Sequence, residues 1–271
     1  MTILDAYEYC DGNKTKAAEL LGMSRTSYRR AYSKLIKPAD TKLHAGKDRV
    51  LVFSCTHAPA MRDDFIPFLQ SIYKKHNCTR VVHLGDLVDW HAISFHESDP
   101  SLPSPSEEFT AALRQVRELH SAFPVLDYMI GNHDALPDRQ ARRLGLPSEV
   151  MKDFQSLWEL DGWTIHPRFA RLWIDNVQYR HGDMGKGGMN AAKANAMAEF
   201  CSLVQGHLHA QAGVTYHANE QSCVFGLSVG CGVAHSHPAM NYGRVYTAKP
   251  IVGCGVVYND KFAVFEPMEL S

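Results

Sequence analysis

A short apolar run breaks into acid at Val81 to Asp89, V-V-H-L-G-D-L-V-D. Val81 to Leu84 read as a buried strand, and Gly85 supplies a turn before two carboxylates, Asp86 and Asp89. A strand ending this way delivers ligands to the edge of a sheet, where open α/β folds gather their binding groups. The same arrangement recurs on either side. V-L-V-F (50–53) runs into S-C-T-H, Ser54 to His57, and V-L-D-Y-M-I (125–130) into G-N-H-D, Gly131 to Asp134. Further on stand H-G-D, His181 to Asp183, and G-H-L-H, Gly206 to His209.

Between the first three apolar runs lie F-I-P-F-L-Q-S-I-Y-K-K-H and F-T-A-A-L-R-Q-V-R-E-L-H, both with helical spacing. The order β-α-β-α-β predicts a largely parallel sheet. After about Trp163 the pattern turns strand-rich: F-A-R-L-W-I-D-N, V-Q-Y-R-H-G, S-L-V-Q-G, G-V-T-Y-H, C-V-F-G-L-S-V, G-R-V-Y-T, I-V-G-C-G-V-V-Y and F-A-V-F-E-P. One helix, roughly Gly188 to Glu199, interrupts it. A second sheet packed on the first, with helices outside, would absorb these strands. S-D-P-S-L-P-S-P-S-E-E (98–108) reads as a proline-rich loop.

The strand-end residues form a donor set of carboxylate, amide and imidazole. That mixture suits manganese, iron or zinc better than calcium, which takes all-oxygen shells. Cys55 stands apart. As a thiolate it would ligate and favour zinc or iron; as a neutral thiol it would leave its site short of a ligand and a negative charge. The loop H-G-D-M-G-K-G-G either offers backbone N–H groups and Lys186 to a phosphate or is a turn. Asp134 is either a support behind the ligands or a helix cap. His91, His96, His217, His235 and His237 are further candidates for lining a cleft, while His83, inside a strand run, is expected to be packed.

Taken together, the blocks from residue 50 to about 235 resemble the calcineurin-like metallophosphoesterase family. Its pattern is D-x-H, G-D-x-x-D, G-N-H-D/E, H and G-H-x-H, and four of the five blocks are intact; Cys55 replaces the first aspartate. The resemblance implies an α/β fold, a four-layer α/β/β/α sandwich. It implies two divalent ions, Asp86 bridging them. His57, His209 and Cys55 would serve one ion, and Asn132, His181 and His207 the other. His133 would act at the leaving oxygen, with Asp89 holding its ring. The implied reaction is hydrolysis of a phosphoester.

The N-terminal segment has a different character. Residues 1–50 carry ten Lys/Arg against six Asp/Glu, or +4, leaving 18 against 23, or −5, for the rest. Contacts to nucleic acid made by charge alone therefore start at this basic head. In G-N-K-T-K-A-A-E-L-L-G-M-S-R-T-S-Y-R-R-A-Y-S-K-L, Asn13 caps a helix with Ala17, Ala18, Leu20 and Leu21 inward. Gly22 turns the chain, and Ser24 caps a second helix with Tyr28, Ala31 and Leu35 as its apolar stripe. Ile3 to Tyr9 supplies a supporting helix. This layout resembles the Fis-family helix-turn-helix, which implies DNA binding, usually as a dimer, through Arg25, Thr26, Arg29 and Arg30. The expected organisation is a small all-α helix-turn-helix over 1–37, a linker over 38–48 and a phosphoesterase domain over 49–271.

At 271 residues, 45% hydrophobic and 21% charged, the chain has ordinary globular composition, so it is neither fibrous nor disordered. It lacks a basic-then-apolar start and any apolar run near the roughly 18 residues a membrane span needs. Its seven cysteines fit no disulfide framework, which points to a reducing, cytoplasmic setting without membrane partners. The leading expectation is a phosphodiesterase or nuclease acting on DNA or nucleotides, with a homodimer expected from the helix-turn-helix. Two alternatives stay open: a DNA-binding regulator with an impaired phosphoesterase domain, and a small-molecule or cyclic-nucleotide phosphodiesterase.

Overall fold

The computed structural model describes residues 1–10, 13–35, 40–43, 48–95, 102–188, 190–237 and 248–269. The N-terminal module is three helices, α1 (Ile3–Tyr9), α2 (Lys14–Leu20) and α3 (Arg25–Leu35). Asn13 Oδ1 accepts the N–H groups of Thr15 and Lys16, and Ser24 Oγ accepts that of Ser27. Gly22, at φ 63°, makes the turn between α2 and α3. The module's core is Ala6, Tyr7, Ala17, Ala18, Tyr28 and Tyr32, with Phe169 from the body packed against it. Two expected core residues lie outside: Leu20 is 45% and Leu35 55% exposed. Tyr32, one helical turn after Tyr28, takes the place expected for Leu35, stacking on Tyr28 and meeting the Tyr7 ring at a tilt.

Within the stretch read as a linker, β1 (Asp40–Leu43) pairs in parallel with a later strand at the edge of a sheet. The body continues with β2 (Arg49–Phe53), α4 (Phe65–Lys75), β3 (Arg80–His83), α5 (Pro105–Ala122) and β4 (Asp127–Met129). It goes on through α6 (Leu136–Arg143), α7 (Phe154–Trp158), β5 (Thr164–His166), β6 (Arg171–Ile174), β7 (Val177–Arg180), α8 (Ala191–Glu199) and β8 (Ser202–Gln205). It closes with β9 (Ala212–Ala218), β10 (Cys223–Val229), β11 (Gly253–Tyr258) and β12 (Phe262–Pro267). The strand read at G-R-V-Y-T and the candidate His96 lie outside the described residues. α5 begins inside the stretch read as a loop. Ser104 and Glu107 form a reciprocal capping box there, and Pro105 sits at the first helical position, where its missing N–H costs nothing.

Among the described residues two six-stranded sheets result, ordered β12-β11-β2-β3-β4-β5 and β1-β6-β7-β8-β10-β9. β2, β3 and β4 are mutually parallel, as the sequence order predicts, and β5, which the sequence pattern does not mark, pairs in parallel with β4 at the edge. Alternation along β2 divides the core in two. Leu51 and Phe53 face α4, α5 and α7, whereas Val50 and Val52 face the second sheet's Leu172, Val204, Phe225 and Leu227. α8 covers the far side of the second sheet. A Cβ on Gly226 would sit 2.6 Å from the Ala192 main chain, so glycine permits that close approach. The result is the α/β/β/α sandwich. Among the described residues no helix is long and apolar enough to cross a membrane.

Candidate metal centre

Five loops leave the C-terminal ends of β2, β3, β4, β7 and β8 and meet at Asp86. Their glycines permit the convergence. A Cβ on Gly131 would lie 2.2 Å from Asp86 Oδ1, and one on Gly206 would lie 2.0 Å from Ser54 Oγ. Backbone strain concentrates here too: Cys55, His57, Asp86 and His207 hold φ of 55°, 48°, 56° and 66°. Asp134 secures the turns. Its carboxylate accepts the N–H groups of Gly131, Asp86 and Leu87 at 2.7, 2.8 and 3.0 Å, plus the Tyr128 hydroxyl. It is a clasp behind the ligand loops and not a helix cap.

On one side of Asp86 stand Cys55, His57 and His209, whose ligand atoms fall within 4.8 Å of one another. His57 Nδ1 lies 2.7 Å from Asp89 Oδ1 and its Nε2 lies 3.1 Å from His209 Nε2. On the other side, His181 Nδ1–H donates to the Leu84 carbonyl at 2.7 Å. That bond turns His181 Nε2 toward Asp86 Oδ2 at 3.1 Å and Asn132 Oδ1 at 3.0 Å. The His207 ring centroid lies 5.1 Å from that of His181. With Nδ1 of His57 on Asp89 and Nδ1–H of His181 on the Leu84 carbonyl, the Nε2 atoms of both rings are turned toward the donors around Asp86. Protons hold these groups together in the metal-free chain, and buried imidazole, carboxylate and amide donors converging this closely suit divalent ions that would replace those protons.

The charge balance agrees. Burial alone would raise the Asp86 carboxyl, but His181, His133 and His57 hold it well below the ordinary carboxylate range. Burial would lower His133 and His181, yet Asp86 and its neighbours hold them up at about 10 and about 9. At His207 burial and His181 outweigh the pull of Asp183 and Asp86 and push the ring down to about 4. Burial and Asp86 push the Cys55 thiol up. Its sulfur lies 3.1 Å from Ser54 Oγ, in an apolar cluster with Ala60, Cys231 and Val233.

His133 is tied down twice. Its main-chain N–H donates to Asp86 Oδ1 at 2.8 Å, and its Nδ1–H donates to the Asp89 carbonyl at 2.7 Å. Asp89 therefore orients His133 mainly through its backbone, while its carboxylate serves His57. His83 is packed, as expected: its Nδ1 accepts the Gly85 N–H at 3.0 Å, and burial pushes the ring down to about 3. Lys186 stays outside the cluster. It is exposed, and its N–H donates to Asn195 Oδ1 instead of facing outward to an anion. His235 and His237 line a separate cavity with Pro59, Met61 and Arg62. Arg25, Thr26, Arg29 and Arg30 are exposed on α3.

A cavity of about 410 Å³ opens at Asn132, His133 and His207. Tyr7, Arg139 and Arg168 also line it, and no local pattern in the sequence marks them. Tyr7 belongs to α1, whose contacts to the body include its hydroxyl on the Asp183 carbonyl at 3.2 Å and Glu8 on Arg142 at 3.2 Å.

A two-sheet sandwich with a histidine- and aspartate-rich cluster at its parallel strand ends defines a metal-centred phosphoesterase scaffold. The chain belongs to the calcineurin-like phosphoesterase family, whose model matches residues 48–211. Residues 1–34 match the Fis-family bacterial regulatory protein model. Among curated proteins none matches the chain. Similar solved structures include a metallophosphoesterase from Sphaerobacter thermophilus, 18% identical over 82% of this chain and 88% of that one, TM-score 0.43. Vacuolar Protein Sorting 29 from Cryptosporidium parvum is 13% identical over 84% and 100%, TM-score 0.40. The nuclease MPE of Pseudomonas putida is 11% identical over 80% and 87%, TM-score 0.34.

Proposed function

We propose that the chain is a metal-dependent hydrolase cleaving phosphodiester bonds of DNA or nucleotides. The observation that carries the reading is the convergence of imidazole, carboxylate and amide groups on both sides of Asp86, at 3.0–3.1 Å. Cys55, His57 and His209 would hold one divalent ion and Asn132, His181 and His207 a second, with Asp86 shared. Such ions, of the manganese, iron or zinc class, supply Lewis acidity and acidify water. The chain's own groups then position and protonate. Asp89 fixes the ring of His57, which keeps Nε2 aimed at His209. His133, with Nδ1–H given to the Asp89 carbonyl, has Nε2–H left to donate to a departing alkoxide.

The exposed Arg25, Thr26, Arg29 and Arg30 on α3, and the N-terminal Fis-family match, support DNA as the partner. The module is docked on the body through Tyr7 and Glu8, so its bearing on the site is geometric and not that of a free tether. One observation favours a second reading, a DNA-binding protein with impaired catalysis. Cys55 is buried beside Asp86, which opposes the thiolate form and weakens the first site.

Turnover of bis-p-nitrophenyl phosphate with manganese, zinc or iron(II), in wild type and His207→Ala, separates the readings. Hydrolysis by wild type that falls by about 100-fold or more in His207→Ala supports the enzyme. An inert wild type that becomes active as Cys55→Asp supports the impaired form.

A further inference from the structure

The cavity beside Asn132 and His207 carries two guanidinium groups that hydrolysis at the metal centre leaves unexplained. Arg139 is buried, lies 4.6 Å from the Phe95 ring and donates to the Glu8 carbonyl of α1. Arg168 is held by Asp183 Oδ2 at 3.1 Å from its Nε and by the face of Phe169 at 4.5 Å. Its Nη1 is buried without a hydrogen-bond partner among the described residues. Burying a guanidinium with an unused N–H is unfavourable unless a water or an anion completes its shell, and an anion also balances its charge. A planar fork fits phosphate oxygens two at a time, which a single carboxylate such as Asp183 does not exhaust.

We infer that Arg139 and Arg168, walled in by Tyr7 of the helix-turn-helix module, form a subsite for a second phosphate adjoining the phosphoester that is cleaved. This rests on the phosphoesterase reading above, because it assigns the scissile phosphate to the neighbouring Asn132–His207 side. The cavity, about 410 Å³, is within the roughly 300–1,000 Å³ of small-ligand sites. It accommodates one nucleotide unit and not a duplex. The substrate class is therefore a phosphoester with a further phosphate one unit away. A single-stranded nucleic-acid end presents that chemistry across the sugar, and a nucleotide with a phosphate tail presents it along a chain. The module thus has a second role, as one wall of the active site.

Binding and turnover test this separately. Calorimetry would compare thymidine 5′-monophosphate with thymidine 3′,5′-bisphosphate and thymidine 5′-diphosphate on the manganese-loaded full chain. The subsite requires that one of the two bisphosphorylated probes bind about 10-fold tighter than the monophosphate, and that Arg168→Gln remove the gain. Tightening by the 3′,5′ form identifies a strand end, and tightening by the 5′-diphosphate identifies a tail. Arg168→Lys, which keeps the pairing with Asp183 but loses the fork, should retain part of the gain and guards against misfolding of the Gln variant. For a strand-end substrate, the kcat/KM ratio of 5′-phosphorylated to unphosphorylated thymidine dinucleotide should collapse in Arg168→Gln through KM. Equal affinities for all three probes, or a gain that survives Arg168→Gln, would overturn the subsite. A binding gain without any turnover would keep the subsite and sink the phosphoesterase reading.

Discussion

His57 and Asp89 form a buried pair, ring Nδ1 to carboxylate Oδ1 at 2.7 Å, and the same carboxylate lies 3.3 Å from His133 Nδ1. Burial would raise the Asp89 carboxyl, but the hydrogen bonds from His133 and His57 hold it below its ordinary range. Asp89 is therefore an anion that fixes the ring of His57 and steadies that of His133, the two rings proposed to face the metals and the leaving group. Asp89→Asn keeps the shape and removes the charge. It should weaken metal affinity about 10- to 100-fold, measured by competition with a chelating dye. Unchanged affinity would mean that the pair is only packing.

Cys55 should set metal preference. Cys55→Asp replaces a buried thiol with a hard carboxylate and adds a charge beside His57 and His209. Relative activity with manganese over zinc should rise about 10-fold or more in the variant. The same preference in both proteins would place the sulfur outside the coordination shell.

Proton linkage gives a signed expectation. His133 and His181 sit at about 10 and about 9, above the ordinary value of about 6.5, so their charged forms favour the folded metal-free chain. That contribution is full below pH ~6.5 and is lost as pH rises through 9 to 10. The melting temperature of the metal-free protein should fall between pH 7 and 10, with a shallower fall in His181→Gln. Metal binding at pH 7.5 should also release a proton, visible as buffer-dependent binding heat. A flat melting profile and no proton release would show that the rings are neutral before metal arrives.

If α3 reads DNA, Arg25→Ala with Arg29→Ala should weaken duplex binding. It should also lower the slope of log K against log salt by about 0.9 for every phosphate the protein no longer neutralises. Anisotropy titrations across salt concentrations measure both. A wild-type slope near zero would exclude DNA as the partner.

Much of the architecture is written in local pattern. The alternation of Val50 and Val52 against Leu51 and Phe53 specifies a strand buried on both faces, and Gly85, Gly131 and Gly206 mark where the backbone turns toward ligands. Other features depend on tertiary contact. Thr164–His166 is too short and too exposed at Thr164 to register as a strand. Asp40–Leu43 joins a sheet only because Arg171–Ile174 offers an edge. Tyr32 displaces Leu35 from the helical core because Tyr7 offers an aromatic face. The α5 start at Ser104 is legible as a capping box, but the prolines around it give the stronger loop signal. Among the site residues, the strand-end ligands are readable in order. Tyr7, Arg139 and Arg168 are not, since docking α1 on the body brings together residues more than 130 positions apart.

The most direct test of the central claim is a metal count paired with turnover. Mass spectrometry under native conditions would be run on wild type and Asp86→Asn after manganese or zinc loading, with the same samples assayed on bis-p-nitrophenyl phosphate. Two ions per wild-type chain with hydrolysis are expected, and loss of at least one ion together with activity in Asp86→Asn. A wild-type chain that stays metal-free, or that holds two ions without hydrolysing the ester, would contradict a dinuclear phosphoesterase.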